Sequence, residues 1–476
     1  MTTVEKNIEE LRLQKAIRRL IKKLDKRLIP FLMLLEFSAF GSEMITGHTE
    51  LTTLKADLNL SPEEESLGVT LLYAAYALFG IPSFILLRFL GTKIYLSLCM
   101  ILWGAIMIGT AFVRNVKQLF VVRFLLGMVI SAHFSGLTIY LSLWYRKAEQ
   151  TMRISFFHAG AILGCSFGAI MSYGITKISS IVGLKDWQWI FMFEGLPITV
   201  LGIIIYIFLG NIPETVQWLN NCEKELLTNI LREDAGKANG EPNSDSWISW
   251  RQVKYALTDR RIYLHMLIGI GNVTPILCFT LALPSLLHGI NASAPLTHLM
   301  VAPMYVIACA SCLVGSYSSS LHNEHGLHTA TCLFISLIGF IILIFVGDQS
   351  KIAIYISSCI ACCGMYTAFP IALSWLTKNV GGHTKRAMAI CCVHAVDHLG
   401  GVLKFVVYPE VDKPIYRKGH SICAGVTAVA LLSTFILRRS MMKENQRRQF
   451  LSVDEYRREV AVEEPCDKHP DFRYVL

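Results

Sequence analysis

Apolar residues in this chain gather in long runs instead of alternating with polar ones. Twelve stretches approach the roughly 20 apolar residues that a helix needs to cross a hydrocarbon core about 30 Å thick. They fall near 28–48, 66–87, 94–113, 118–143, 154–176, 188–209, 262–285, 297–316, 327–346, 352–376, 387–408 and 420–437. Backbone in lipid has to satisfy its own hydrogen bonds, so such runs predict helices and an all-α membrane protein. The runs divide six and six around a polar stretch, 210–260, that carries Glu214, Glu223, Glu225, Arg232, Glu233, Asp234, Lys237 and Asn243. The pattern predicts a basic amphipathic segment (1–27), a six-helix half (28–209), a central loop (210–260), a second six-helix half (261–438) and a tail (439–476). Two such halves suit a transporter built from repeats around a midplane site. Within 4–27, Leu11, Leu13, Ile17, Leu20, Ile21 and Leu24 oppose Lys15, Arg18, Arg19, Lys22 and Lys23. That arrangement predicts a helix anchored on anionic lipid.

Composition sharpens this picture. Of 476 residues, 53% are hydrophobic and 17% charged, against about 25% charged in soluble domains. A soluble enzyme, a disordered chain and a nucleic-acid binder are excluded as starting points. With the N-terminus on the cytoplasmic side, the inside segments hold 33 Lys and Arg and the outside loops 9. This bias predicts that both termini are cytoplasmic. It also accounts for the net charge of +9 without a nucleic-acid partner. The first 27 residues are charged, so the first span is expected to act as the insertion signal. Most of the fourteen cysteines, such as Cys359, Cys362, Cys363, Cys391 and Cys392, lie in apolar runs and read as small hydrophobes, without zinc-ligand spacing. No metal is predicted. No glycine-rich phosphate loop marks an ATP-driven pump. No catalytic residues and no cofactor are predicted, protons serving as the coupling ion.

Ionisable residues inside the runs carry the chemical signal. A charge at the centre of a membrane helix costs about 2.5–3.5 kcal/mol on the insertion scale, and such residues mark ion and substrate pathways. Glu36 and Glu43, seven residues apart, share a helical face in the first run and are candidate proton carriers. In the eleventh run His394, Asp397 and His398 occupy i, i+3 and i+4, also one face. They read either as a proton relay or as a structural His–Asp pair. His133 in the fourth run is a further candidate. Arg123 could hold a carboxylate through two parallel hydrogen bonds, or pair with an acid of the first run. Asn272, Tyr305 and Tyr366 could add hydrogen bonds and a stacking face to a substrate site. Gly160, Gly164 and Gly168, four residues apart, would let helices approach closely.

Several motifs carry a family resemblance. RFLLG at 123–127 with YLSLWY at 140–145, WQWIF at 187–191 with Glu194 and Gly195, and IPET at 212–215 with Trp218 and Leu219 lie in the first part of the chain. NVGGHTKRA at 379–387, Pro414 with Tyr416 to Gly419, and DFRYVL at 471–476 follow. Together they resemble the major facilitator superfamily, and more narrowly the fungal anion:cation symporters of the allantoate permease type. The resemblance implies the major facilitator fold and proton-coupled uptake, at the plasma membrane, of a small organic anion such as nicotinate or allantoate. It implies a functional monomer whose partners are the anionic substrate and the bilayer. It also implies that the first span lines the central cavity and that the fifth-span glycines pack and gate between the halves.

Some positions depart from the family pattern. Ser42 and Glu43 stand where an Asp-Arg pair is usual, and Ile130 where a Glu is frequent. His133, three residues on, could take over that acid's role. Arg88 stands where the second-to-third loop motif has Asp, and Ser318 to His322 lack the matching Asp-Arg. An uncoupled facilitator of the same fold, or a nutrient sensor, are the alternatives these departures leave open.

Overall fold

The computed structural model describes residues 3–49, 54–175, 185–235, 248–288, 294–346, 350–413 and 415–476. Its long helices, in chain order, are α1 (Thr3–Thr49), α2 (Pro62–Leu90), α3 (Thr92–Thr110), α4 (Val116–Trp144), α5 (Lys147–Ile175) and α6 (Asp186–Phe208). They continue with α7 (Arg260–His288), α8 (Ala294–His322), α9 (Gly326–Val346), α10 (Lys351–Asn379), α11 (His383–Asp397) and α12 (Arg417–Gln449). Polar residues outside the apolar runs set the starts. Ser61 and Glu64 form a capping box at α2, and Asn115 and Ser350 accept the free N–H groups of α4 and α10. Gly91, with φ of +72°, turns the chain from α2 into α3.

Eleven helices among the described residues are long and apolar enough to cross a membrane, and α1 carries the remaining expected run. Large apolar side chains such as Leu78, Phe89, Ile207, Val314 and Phe345 face outward, as lipid contact requires. In the first half α1 packs on α5 and α6, α3 on α6 and α4, and α2 on α4. In the second half α7 and α9 pack on α12, α9 and α8 on α10, and α7 on α11. Among the described residues the halves are joined chiefly by α2 with α11, α5 with α8, α4 with α11 and α5 with α10, with a smaller contact of α1 with α7. Adding six to each helix number exchanges the first pair with the second and the third with the fourth. That is the signature of a two-fold relation between repeats.

Two elements differ from the sequence expectation. Residues 4–27 form no separate surface helix: α1 runs unbroken through Pro30. Leu20 and Leu24 are buried in the same cluster as Leu227 and Ile230 of the central-loop helix Asn221–Ala235. Lys23 bonds Glu223 at 2.6 Å. Protein, not lipid, therefore covers this part of the apolar face. The eleventh run is not one α-helix either. After Asp397 the chain tightens to a 3-10 helix over His398–Leu403 and resumes as Lys404–Val407. The cause is close packing: a side chain at Gly400 would meet Thr274 Oγ at 2.0 Å, and one at Gly401 would meet the Tyr73 ring at 2.4 Å.

Candidate functional site

The first-half part of the site forms where α1 and α4 meet. Glu36 is 0% exposed and its Oε1 lies 3.1 Å from His133 Nε2, itself 2% exposed. Glu36 Oε2 and His133 Nδ1 have no hydrogen-bond partner among the described residues. Trp103 stands edge-on to the His133 ring at 5.5 Å, which fixes the imidazole plane. The pair lies next to the interface between the halves, within electrostatic reach of His394.

The second-half part lies on α11 where its helix changes pitch. His398 Nδ1 sits 2.6 Å from Asp397 Oδ1, and His394 Nδ1 sits 3.5 Å from Asp397 Oδ2. Asp397 and His394 are buried, and neither His394 nitrogen has a hydrogen-bond partner among the described residues. Tyr76 of α2 stacks on His398 with centroids 4.1 Å apart and planes 13° from parallel. The ligand atoms of the trio lie within 4.8 Å of one another, as a metal site would need. Zinc donors at about 2.0–2.2 Å from the ion lie roughly 3.4 Å apart. The direct Asp397–His398 hydrogen bond at 2.6 Å fits a shared proton better than a shared ion.

Phe134 joins the two parts. It follows His133 on α4, meets His394 edge-on at 4.8 Å, and lies 6.0 Å from His398. Glu36 is within electrostatic reach of His394. The pair and the trio therefore face each other across the halves with one aromatic ring between them. Beside the trio a small pocket, about 20 Å³, is bounded by Asn272, Gly269, His265 and Phe369, room for about one water. Asn272 donates to the Met365 carbonyl at 3.2 Å, and its Oδ1 has no hydrogen-bond partner among the described residues. Tyr366 shares a 2.9 Å hydrogen bond with Thr280 and meets Tyr305 edge-on. The His158 ring lies 6.1 Å from Tyr366 and 4.7 Å from Phe369.

Other candidates from the sequence fall elsewhere. Arg123 is buried on α4 ten residues before His133, about 15 Å along the axis. It lies within electrostatic reach of Glu194 on α6. Glu43 belongs to α1, but its side chain lies outside the described residues. Gly160 and Gly164 face α1 of their own half rather than the other half. A side chain there would meet the Met33 and Phe37 carbonyl oxygens at 2.4 and 2.2 Å. The close approach is therefore α1 on α5, and the gating position implied for these two glycines does not match where they lie. Gly168 is buried.

Sequence reasoning did not find the contacts that close the end carrying both termini. Thr151 of α5 bonds His325 at 3.0 Å and Ser374 of α10 at 2.8 Å. Lys378 Nζ lies 3.1 Å from His325 Nε2, and the His325 amide donates to the Leu476 carbonyl. Hydroxyls and histidines in apolar helices carry no signal of which helix they face.

The chain is similar to known transporters along most of its length. It is 31% identical over 431 residues to the MFS transporter prlL of a fungal species (strain NRRL 50135), covering 89% of this chain and 86% of that one. It is 28% identical to the high-affinity nicotinic acid transporter of Saccharomyces cerevisiae, covering 96% of this chain and 85% of that protein. Its fold is similar to that of the proton:xylose symporter XylE bound to 6-bromo-6-deoxy-D-glucose. There the TM-score is 0.68 at 14% identity, over 88% of this chain and 94% of that one. The family model for the Major Facilitator Superfamily matches residues 32–403, so this multi-pass membrane protein belongs to that superfamily of transporters.

Proposed function

We propose that the chain is a secondary active transporter that couples uptake of a small organic anion to protons by alternating access. The Glu36–His133 pair facing the His394–Asp397–His398 trio carries this reading. Groups that expensive in an apolar interior fit a pathway in which protons are loaded and released. The cargo is a carboxylate vitamin such as nicotinate or a ureide such as allantoate, within a transporter of the allantoate permease type. Similarity to a nicotinic acid transporter supports that choice. Asn272, Tyr305 and Tyr366 contact the substrate, and Arg123 attracts its carboxylate at one mouth. One proton with one monoanion moves no net charge, so the pH gradient drives transport at about 1.4 kcal/mol per unit. The transporter works as a monomer in the plasma membrane with both termini in the cytoplasm.

The test is radiolabelled uptake of nicotinate, allantoate and related carboxylates at two external pH values. Uptake should rise steeply on acidification and accumulate against a gradient. Glu36→Gln and Asp397→Asn should lose accumulation while keeping exchange of labelled for unlabelled substrate. The absence of an acid at Ser42 and Ile130 favours a second reading, an uncoupled facilitator. Uptake that ignores external pH and stops at equal concentrations would establish it instead.

A further inference from the structure

Where α2 of the first half meets α11 of the second, a pocket of about 150 Å³ opens at the end that carries both termini. Arg88, Thr92, Ser142 and Asn211 line it from one half and the central loop, and His383 and Arg386 from the other half. None of the described residues lining it is acidic. Arg386 is 7% exposed. Its Nε donates to the Val380 carbonyl at 3.0 Å, and its two terminal nitrogens have no hydrogen bond or ion pair among the described residues. Arg88 lies over the Phe84 ring at 5.6 Å and has no ion pair among the described residues. His383 is within electrostatic reach of both guanidiniums.

The surroundings add positive field. α3 begins at Thr92 and α11 at His383, both at the pocket. Their first turns are capped by the neutral amides of Asn211 and Gln252, which leave each helix's positive end uncompensated. Among the described residues, Asp234 is the acid within electrostatic reach of Arg386. That carboxylate already accepts the Lys147 amide at 2.9 Å and also faces the Lys147 and Lys378 ammonium groups. Buried guanidiniums without a counter-charge are costly. The buried Arg386 and the half-buried Arg88 converge on the pocket from opposite halves and form a fork that matches the oxygens of a phosphate.

We propose that this pocket binds a phosphate group, presented by an anionic lipid headgroup or as free phosphate, which bridges Arg88 of one half to Arg386 of the other. The ligand supplies a counter-charge that none of the described residues lining the pocket provides. Because it links α2 to α11, its presence holds this end shut, and the halves part only when it leaves or follows one side.

The test measures the unfolding midpoint of the full-length protein. One arm adds inorganic phosphate in neutral detergent, against chloride at equal ionic strength. The other compares nanodiscs of phosphatidylcholine with nanodiscs containing phosphatidic acid. A saturable rise with phosphate identifies the free anion, and a rise confined to phosphatidic acid identifies the headgroup. Either rise should vanish in Arg88→Gln, which removes a side chain without a hydrogen bond or ion pair among the described residues and so leaves the fold in place. It should vanish as well in Arg88→Asp, where the new carboxylate pairs with Arg386 internally. No rise in either arm, or a rise that persists unchanged in Arg88→Gln and Arg88→Asp, overturns the proposal.

Discussion

Glu36 meets His133 with one carboxyl oxygen and leaves the other uncovered among the described residues. Gln at position 36 keeps an oxygen for the hydrogen bond, so Glu36→Gln should change stability by no more than about 1 kcal/mol. Its effect on coupling should be complete. Across a two-unit pH gradient a one-proton symporter can reach about a hundredfold concentration ratio, and the variant should stop at equal concentrations, as measured by steady-state uptake in proteoliposomes. Asp397→Asn should behave alike for a different reason: the amide still bonds His398 but no longer balances a protonated imidazole. These groups were legible in the sequence because an ionisable residue in an apolar run is conspicuous wherever it points. Phe134 and Tyr76, which lie between and against them, were not. An aromatic residue in a membrane helix looks the same in sequence whether it packs on lipid, on a neighbour or on a histidine. Arg123 was conspicuous too, yet sequence spacing gives no account of its neighbour Glu194, which comes from another helix.

Among the helices, the four-residue glycine spacing announced a close approach but not its partner. A side chain at Gly164 would lie 2.2 Å from the Phe37 carbonyl oxygen and 3.0 Å from the Gly41 amide. These are backbone atoms that no rotamer change can move. Gly164→Ala should therefore force α1 and α5 apart and cost about 1–3 kcal/mol or more, read as a lower unfolding midpoint of the purified protein. The break after Asp397 has the same origin. Gly400 and Gly401 let Thr274 and Tyr73 press against the backbone. A 3-10 stretch inside a helix often marks a hinge. The hydropathy of 387–408 conveys only that the segment is apolar, so the change of pitch was invisible until α2 and α7 were in place. Helix ends were more legible, because Ser61, Asn115 and Ser350 are polar residues at the edges of apolar runs.

At the scale of the whole molecule, the two six-helix halves were readable from the spacing of the runs, but the closure of the terminal end was not, because it depends on the last residues returning to the membrane domain. Asn379 donates to and accepts from Val475, Trp375 donates to its carbonyl at 2.8 Å, and Asn445 holds Tyr474 in the same two-way fashion. Lys147, on α5 of the other half, sits 4.6 Å from the Phe472 ring centre. Lys385 pairs with Asp259 at 2.6 Å and with Asp467 at 2.5 Å, tying the tail to the start of α7. Burial works against ionisation of Asp259, but Lys385 and the Arg261 amide outweigh it and hold the carboxyl below its ordinary 3.8. A depressed carboxyl stabilises the folded state above its unfolded value and ceases to do so as pH falls through its folded one. The contribution is thus intact above about pH 4 and fades only in stronger acid, and Asp259→Asn should lower the unfolding midpoint at pH 7 and narrow its gap from the parent below pH 3.8. The strap's role in closure is tested by removing residues 471–476, which deletes the Val475 and Tyr474 contacts and the Lys147–Phe472 contact together. The spans do not depend on those residues, so the protein should still insert. Spin labels on α5 near Lys147 and on α10 near Lys378 should then report a longer and broader distance at this end, and substrate exchange should quicken. An unchanged distance distribution would mean that Thr151, His325 and Ser374 hold the halves together without help from the tail.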